Sequence, residues 1–200
     1  ADVPARIAIR RGESIAPGAS AVVQIQLDKP VGALHGDRFI LRDQSATRTL
    51  GGGVVLDPFV TQQRQNKTAR EADLAALEAP TPQATLEAWI KLGRPVDPHR
   101  FETLFNMPPA QAAALYEKAS LVLLGREARI GVPRARYQQI LDGVVPQLEA
   151  FHKANPQAAG EETETLRKKI CPELTADAFA GVLRALDRKS TRLNSSDCYI

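Results

Sequence analysis

Cysteine is nearly absent from this chain of 200 residues: Cys171 and Cys198 stand far apart, with no second cysteine or histidine at ligand spacing. That excludes a disulfide framework and a zinc site, and both are expected to be free thiols. No run of about 18 apolar residues occurs, so no membrane span is expected. The first segment has neither an apolar core nor a cleavage pattern, which argues against a signal peptide and for a cytoplasmic protein. The only methionine is Met107, and the chain opens on Ala1 inside a strand-like segment. Residues before Ala1 are therefore expected, and the chain reads as a piece of a longer protein. No Gly-x-x-x-x-Gly-Lys-Ser/Thr occurs, and Gly51-Gly52-Gly53 lacks the lysine and helix start that a phosphate cradle needs, so this chain is not expected to bind or hydrolyse GTP. His35, His99 and His152 fall in separate elements with no acid or cysteine at catalytic spacing. They read as surface or hydrogen-bonded histidines, and no catalytic residue or metal ligand is assigned.

What is present is ordinary for a globular protein: 44% apolar and 24% charged residues, with a net charge of +3 and a pI near 9.0. That length leaves room for roughly one large or two to three small domains, and the mild basic balance permits contact with nucleic acid without requiring it.

The stretch His35 to Pro58, HGDRFILRDQSATRTLGGGVVLDP, is the most specific in the chain. Gly36-Asp37 is a turn pair, and Arg38-Phe39-Ile40-Leu41-Arg42 alternates so that Phe39 and Leu41 share one sheet face and the two arginines the other. Asp43 to Ala46 is a polar connection. Thr47-Arg48-Thr49-Leu50 resumes strand-forming residues before the three glycines, where a backbone can bend or be closely approached, and Val54-Val55-Leu56 closes an antiparallel hairpin. Upstream, Ala5 to Arg10 and Ala21 to Leu27 alternate as strands, with Val23, Ile25 and Leu27 predicted to face inward, and Lys29-Pro30-Val31 begins a further extended piece. Residues 1–58 thus read as part of an antiparallel β-barrel or sandwich, small for a domain that must bury its own core.

Residues 59–68 are polar and aperiodic, a linker, and a second architecture follows. Leu74 and Leu77 mark a short helix. Thr81-Pro82 and Asp97-Pro98 each supply an N-cap with proline in the first turn, ahead of the stripes Leu86, Trp89, Ile90 and Phe101, Leu104, Phe105. Pro109 to Ala119 is a further helix with Leu115 and Tyr116 facing in. Leu121 to Leu124 and Arg129 to Val132, joined by Gly125 to Ala128, form a hairpin, so residues 69–133 describe a winged helix. Its helix before the wing exposes Gln111, Glu117 and Lys118 rather than a row of basic residues, which favours a packing or spacer role. Residues 134–188 repeat the helices without a hairpin: Arg134 to Ala154, with a kink expected at Pro146, Glu161 to Ile170 and a last helix capped by Thr175. They read as a second winged helix, truncated before its wing. The acids Glu161, Glu162 and Glu164 are attributed to the dipole of the helix they open. Arg167, Lys168 and Lys169, the densest basic run, are secondary candidates for phosphate contact. Residues 189–200, KSTRLNSSDCYI, read as a disordered tail foreign to the gene.

The Gly-x-Arg-Phe-x-x-Arg strand followed by Arg-Thr-x-Gly-x-Gly-x-Val resembles the end of the third domain of elongation factor Tu class translation factors. The longer form here, with Leu-Arg-Asp before the connection and Gly-Gly-Gly-Val-Val-Leu-Asp-Pro after it, is most similar to the bacterial selenocysteine-specific elongation factors. The Arg134 to Asp142 opening and the Leu-Arg-Lys-Lys helix resemble that family's tandem winged helices. The resemblance implies a multidomain chain: a partial antiparallel β-barrel followed by α-rich winged-helix modules. It implies a translational GTPase that uses GTP and magnesium in a domain upstream, with no cofactor in this piece. The implied partners are selenocysteinyl-tRNA, the ribosome at a UGA codon and, through modules downstream, an mRNA hairpin; a monomer off the membrane is expected. In the wider class the connection matching Arg42 to Ser45 lies by the T-stem of tRNA, so Arg38, Arg42, Gln44, Ser45 and Arg48 become candidates for phosphate or 2′-hydroxyl contacts. A winged-helix DNA-binding regulator and a protein-interaction scaffold stay open as other readings.

Overall fold

The computed structural model describes residues 2–9, 13–59, 67–126, 129–158 and 160–196, and the chain divides into two compact units, Ala1–Pro58 and Phe59–Ile200. In the first, β1 (Ala5–Ile9) pairs antiparallel with β2 (Val23–Leu27), and β3 (Arg38–Arg42) with β4 (Thr49–Val54). These are separate two-stranded sheets, and no closed barrel forms among the described residues. Gly36 enters the second hairpin with φ +90°, where a side chain would be strained. Beyond the strands, Gly36 N–H donates to the Val55 carbonyl at 2.9 Å and Val55 N–H to that of Asp37 at 2.8 Å. Two expectations fail here: Leu27 is 39% exposed rather than inward, and Lys29-Pro30-Val31 forms no strand. A two-stranded ribbon needs another layer to cover either face, and all the fully buried apolar side chains among the described residues belong to the second unit, so Leu27 has no cover.

The second unit runs α1 (Lys67–Leu77), α2 (Pro82–Lys91), α3 (Pro98–Leu104), α4 (Pro109–Lys118), β5 (Leu121–Leu124), β6 (Ile130–Pro133), α5 (Arg134–Ala154), α6 (Thr163–Ile170) and α7 (Ala176–Ser196). The helix starts are chemical: Thr81 Oγ1 accepts from Ala84 N–H at 3.2 Å, Asp97 Oδ1 from Arg100 N–H at 3.0 Å, and Thr175 Oγ1 from Ala178 N–H at 3.2 Å. Phe101 is fully buried, with the rings of Phe105, Trp89 and Tyr116 at 5.0, 5.9 and 5.9 Å. The first core gathers around it.

The hairpin β5–β6 then serves two cores at once. Leu121, Leu123 and Gly131 lie on the face towards Val96, which exchanges both backbone hydrogen bonds with Gly131 at 2.7 and 2.8 Å. Val122, Leu124, Ile130 and Val132 point the other way, into a cluster with Ile140, Val144, Leu166, Leu174, Phe179 and Val182 from α5 to α7. Period-2 alternation puts one strand's side chains to work on both sides. Helices α5 to α7 thus pack on the wing of the first module, and no linker intervenes because β6 passes directly into α5 at Arg134.

Several boundaries move. Helix α1 begins at Lys67, inside the stretch read as linker, and residues 60–66 lie outside the described ones. α6 begins at Thr163 rather than Glu161, whereas α5 keeps its expected bounds, Arg134–Ala154, with Pro146 inside it. α7 extends to Ser196 where an aperiodic tail is expected from residue 189; residues 197–200, including Cys198, lie outside the described part. Cys171 is a free, fully buried thiol whose desolvation raises its pKa to about 11.

Candidate nucleic-acid interface

The candidate residues of the first unit gather on one hairpin because its register and its connection are both fixed. Arg38 pairs with Val54, Phe39 with Gly53, Ile40 with Gly52 and Leu41 with Gly51; the register then slips by a bulge, so that Arg42 faces Thr49. Alternation leaves Phe39 and Leu41 half-buried, while Arg38 and Arg42 are exposed on either side of Ile40, which is 71% exposed. The glycines are required by packing more than by bending. A Cβ on Gly52 would stand 2.7 Å from the Phe39 carbonyl oxygen, and one on Gly53 would stand 2.5 Å from the tip of the Phe39 ring.

The connection from Asp43 to Arg48 closes on one carboxylate. Asp43 Oδ1 accepts from Thr47 N–H at 2.8 Å and from Arg48 N–H at 3.1 Å, and Oδ2 accepts from the Thr47 hydroxyl at 3.0 Å. Asp43 N–H donates to the Arg48 carbonyl and Ala46 N–H to the Asp43 carbonyl, both at 2.9 Å, while the Ser45 and Thr47 hydroxyls share a hydrogen bond of 2.9 Å. Ala46 sits at φ +56°, the left-handed step that lets so short a loop reverse. The Arg48 N–H first, then the Thr47 hydroxyl and N–H, hold the Asp43 carboxyl below the usual range, against the raising effect of partial burial. The outcome is a hydrogen-bonded loop with Arg42 and Arg48 at its feet and Gln44 and Ser45 at its exposed apex. Solvent-facing guanidinium, amide and hydroxyl groups are what contact with an RNA backbone calls for.

The secondary candidates have other partners. Arg167 forks onto Glu164, with Nη2 to Oε1 at 2.7 Å and Nε to Oε2 at 2.8 Å, and also donates to the carbonyls of Pro172 and Leu174. Its guanidinium holds Glu164 down to about 2. Lys168 stands 3.5 Å from the same carboxylate, and Lys169 pairs with Glu161, whose side chain is 2% exposed. The acids at 161 and 164 are thus held by ion pairs rather than by the helix dipole alone. His35 Nδ1 lies 2.9 Å from the Leu56 carbonyl, a partner that fits its reading as a hydrogen-bonded histidine. Among the described residues no group of His, Cys, Asp and Glu could hold a metal ion, and no helix is long and apolar enough to cross a membrane.

Sequence reading missed Arg126 and Arg184. They line, with Tyr137 and Gly181, an open groove of about 320 Å³ between the β5–β6 turn and α7. No local motif could have joined them, because the hairpin's packing on α7 brings them together.

Comparison with known proteins gives one direction to both units. Residues 1–62 match the family model described as selenocysteine-specific elongation factor, beta-barrel domain, and residues 146–191 match that described as elongation factor SelB, winged helix. The chain is 31% identical over 80 residues to the selenocysteine-specific elongation factor of Desulfomicrobium baculatum. That match covers 40% of this chain and 12% of that protein. A barrel-type segment that ends in an exposed arginine hairpin, followed by winged-helix packing, agrees with both matches, and the chain belongs to the selenocysteine-specific elongation factors.

Proposed function

We propose that this chain is the part of a selenocysteine-specific elongation factor in which a tRNA-facing barrel segment is joined to a winged-helix arm. The whole factor would carry selenocysteinyl-tRNA to the ribosome at UGA codons in a GTP-dependent way. The observation that carries this reading is the hairpin with Arg38 and Arg42 on its open face and the braced Asp43 to Arg48 loop at its end, within the segment that matches the barrel family. The division of labour is 1–58 as barrel segment, 59–68 as connection, 69–133 as first winged helix and 134–188 as second. The arm would set the distance towards modules that hold an mRNA hairpin. GTP and magnesium belong to another part of such a factor, since the residues here do not fit them. Gly51 to Gly53 lie inside a paired strand rather than at a helix start, so their N–H groups cannot converge on a phosphate.

The DNA-reading alternative is weakened at its recognition helix. Lys118 is the only basic residue of α4, and its Nζ donates to Gln83 Oε1 at 2.9 Å. The wing turn is also anchored, with Arg126 N–H donating to Asp177 Oδ2 at 2.8 Å. Gel-shift titration of the chain against aminoacylated tRNA, duplex DNA and a hairpin RNA at two salt concentrations tests the reading. Preference for tRNA, weakened in R42A and R48A, is expected; equal affinity for duplex DNA would overturn it.

A further inference from the structure

We propose that Asp43 is a positioning residue for RNA binding: its carboxylate holds the loop that presents Arg42, Gln44, Ser45 and Arg48 as one surface. The inference rests on the tRNA reading above and adds to it a residue that cannot itself touch a phosphate favourably. A carboxylate beside an RNA backbone repels it, so its presence between two arginines calls for an offsetting role. The geometry supplies that role. Both oxygens are occupied by donors of the loop itself, Thr47 N–H, Arg48 N–H and the Thr47 hydroxyl. These bonds fix the direction in which the chain leaves Arg48, while Asp43 N–H on the Arg48 carbonyl at 2.9 Å ties the two feet of the loop together. Without the carboxylate, two backbone N–H groups lose their acceptor and the left-handed step at Ala46 loses its support. The four contact groups would then have to be ordered at the moment of binding, at a cost in affinity.

Electrostatics and positioning predict opposite signs, which makes the test sharp. If the charge alone mattered, D43A and D43N would both bind RNA more tightly. Under positioning, D43A binds aminoacylated tRNA about 10-fold more weakly, and its dependence of log Kd on log salt falls by about 0.7 to 0.9, the slope carried by one phosphate contact. D43N retains an oxygen for the Thr47 and Arg48 N–H groups and an amide for the Thr47 hydroxyl, so it binds within about twofold of wild type with its salt slope intact. A merely destabilising change would lower the competent fraction and leave the slope unchanged. Tight binding by D43A, or equal losses in D43A and D43N, overturns the proposal. Backbone hydrogen exchange across β3 and β4 shows whether D43A keeps its hairpin. Should it open, D43N decides, since it removes the charge and keeps an acceptor for both N–H groups: tighter binding than wild type would refute the positioning role, and binding within about twofold supports it. R42A and R48A keep the two ideas apart. If neither weakens tRNA binding, the RNA reading itself fails; if both do while D43A does not, only the role of Asp43 fails.

Discussion

Substituting the three consecutive glycines one at a time by alanine should give three different results, because the space around each differs. At Gly52 the new Cβ would stand 2.7 Å from the Phe39 carbonyl oxygen, about 0.7 Å short of the 3.4 Å at which ordinary contact begins. That oxygen is backbone in the paired strand, so relief requires β3 and β4 to move apart. Overpacking of this kind costs about 1–3 kcal/mol, while loss of glycine's freedom in the unfolded chain returns roughly 0.4–1 kcal/mol. G52A should therefore weaken the hairpin by about 1–2 kcal/mol, a factor of roughly 5–30 in its opening equilibrium. At Gly53 the obstacle is the tip of the Phe39 ring at 2.5 Å, a half-buried side chain that can swing out, so G53A should lose less than G52A and should expose Phe39. Gly51 has no neighbour within 4 Å of the new Cβ, so G51A should be neutral or raise protection roughly twofold to fivefold. Native-state hydrogen exchange at Asp43 and Val55, whose N–H groups bond to the Arg48 and Asp37 carbonyls, reads the hairpin alone. Protection in G52A equal to wild type, or a loss in G51A as large as in G52A, would refute the packing account of the glycines.

Buried Thr85 has a hydroxyl without a hydrogen-bond partner, so T85V, which keeps shape and removes the orphan oxygen, should stabilise the second unit by about 1 kcal/mol in urea unfolding. R94A should do the reverse: it removes the 2.6 Å partner of the buried Asp73 carboxylate and should cost about 1–3 kcal/mol, measured in the same way. The raised pKa of Cys171 makes a claim about alkaline pH. Below about 9 the thiol is protonated in folded and unfolded chains alike, and its contribution is fully present; as pH rises from 9 towards about 11 only the unfolded chain releases the proton, so stability falls. C171A should flatten that limb of a stability–pH curve, and an unchanged slope would refute it. Val132 projects into the second core from a hairpin whose other face serves the first. V132A should therefore cost roughly 1–3 kcal/mol and lower the stability of both halves of Phe59–Ile200 in one transition, seen by Trp89 fluorescence and far-UV dichroism together; separate transitions would show that the halves are independent.

How much of this was legible in the sequence depended on how local the controlling physics was. The caps at Thr81, Asp97 and Thr175, the stripe around Phe101, and the alternation of Arg38 to Arg42 are set by neighbours a few residues away, and the structure has them as read. The inward face assigned to Leu27 was not, since alternation says which side chains share a face and leaves open whether anything covers it. The ion pairs of Arg167 with Glu164 and Lys169 with Glu161 were hidden in a different way. A basic run and an acidic run on adjacent turns look like two separate surfaces until the helix folds one onto the other.

The wing is the deeper case. Read by periodicity, residues 121–133 close one module and residues 134–188 open another that lacks a hairpin. A strand of period 2, however, offers a second face at no extra length, and Val122, Leu124, Ile130 and Val132 spend it on α5 to α7. The helices of the second module thus share a core with the wing of the first. A wing held between two cores, with its turn tied to Asp177, is no longer a free element for reaching into a groove. The surface we propose for nucleic acid is therefore the arginine-edged hairpin of the first unit, whose connecting loop closes on the Asp43 carboxylate rather than on a hydrophobic core.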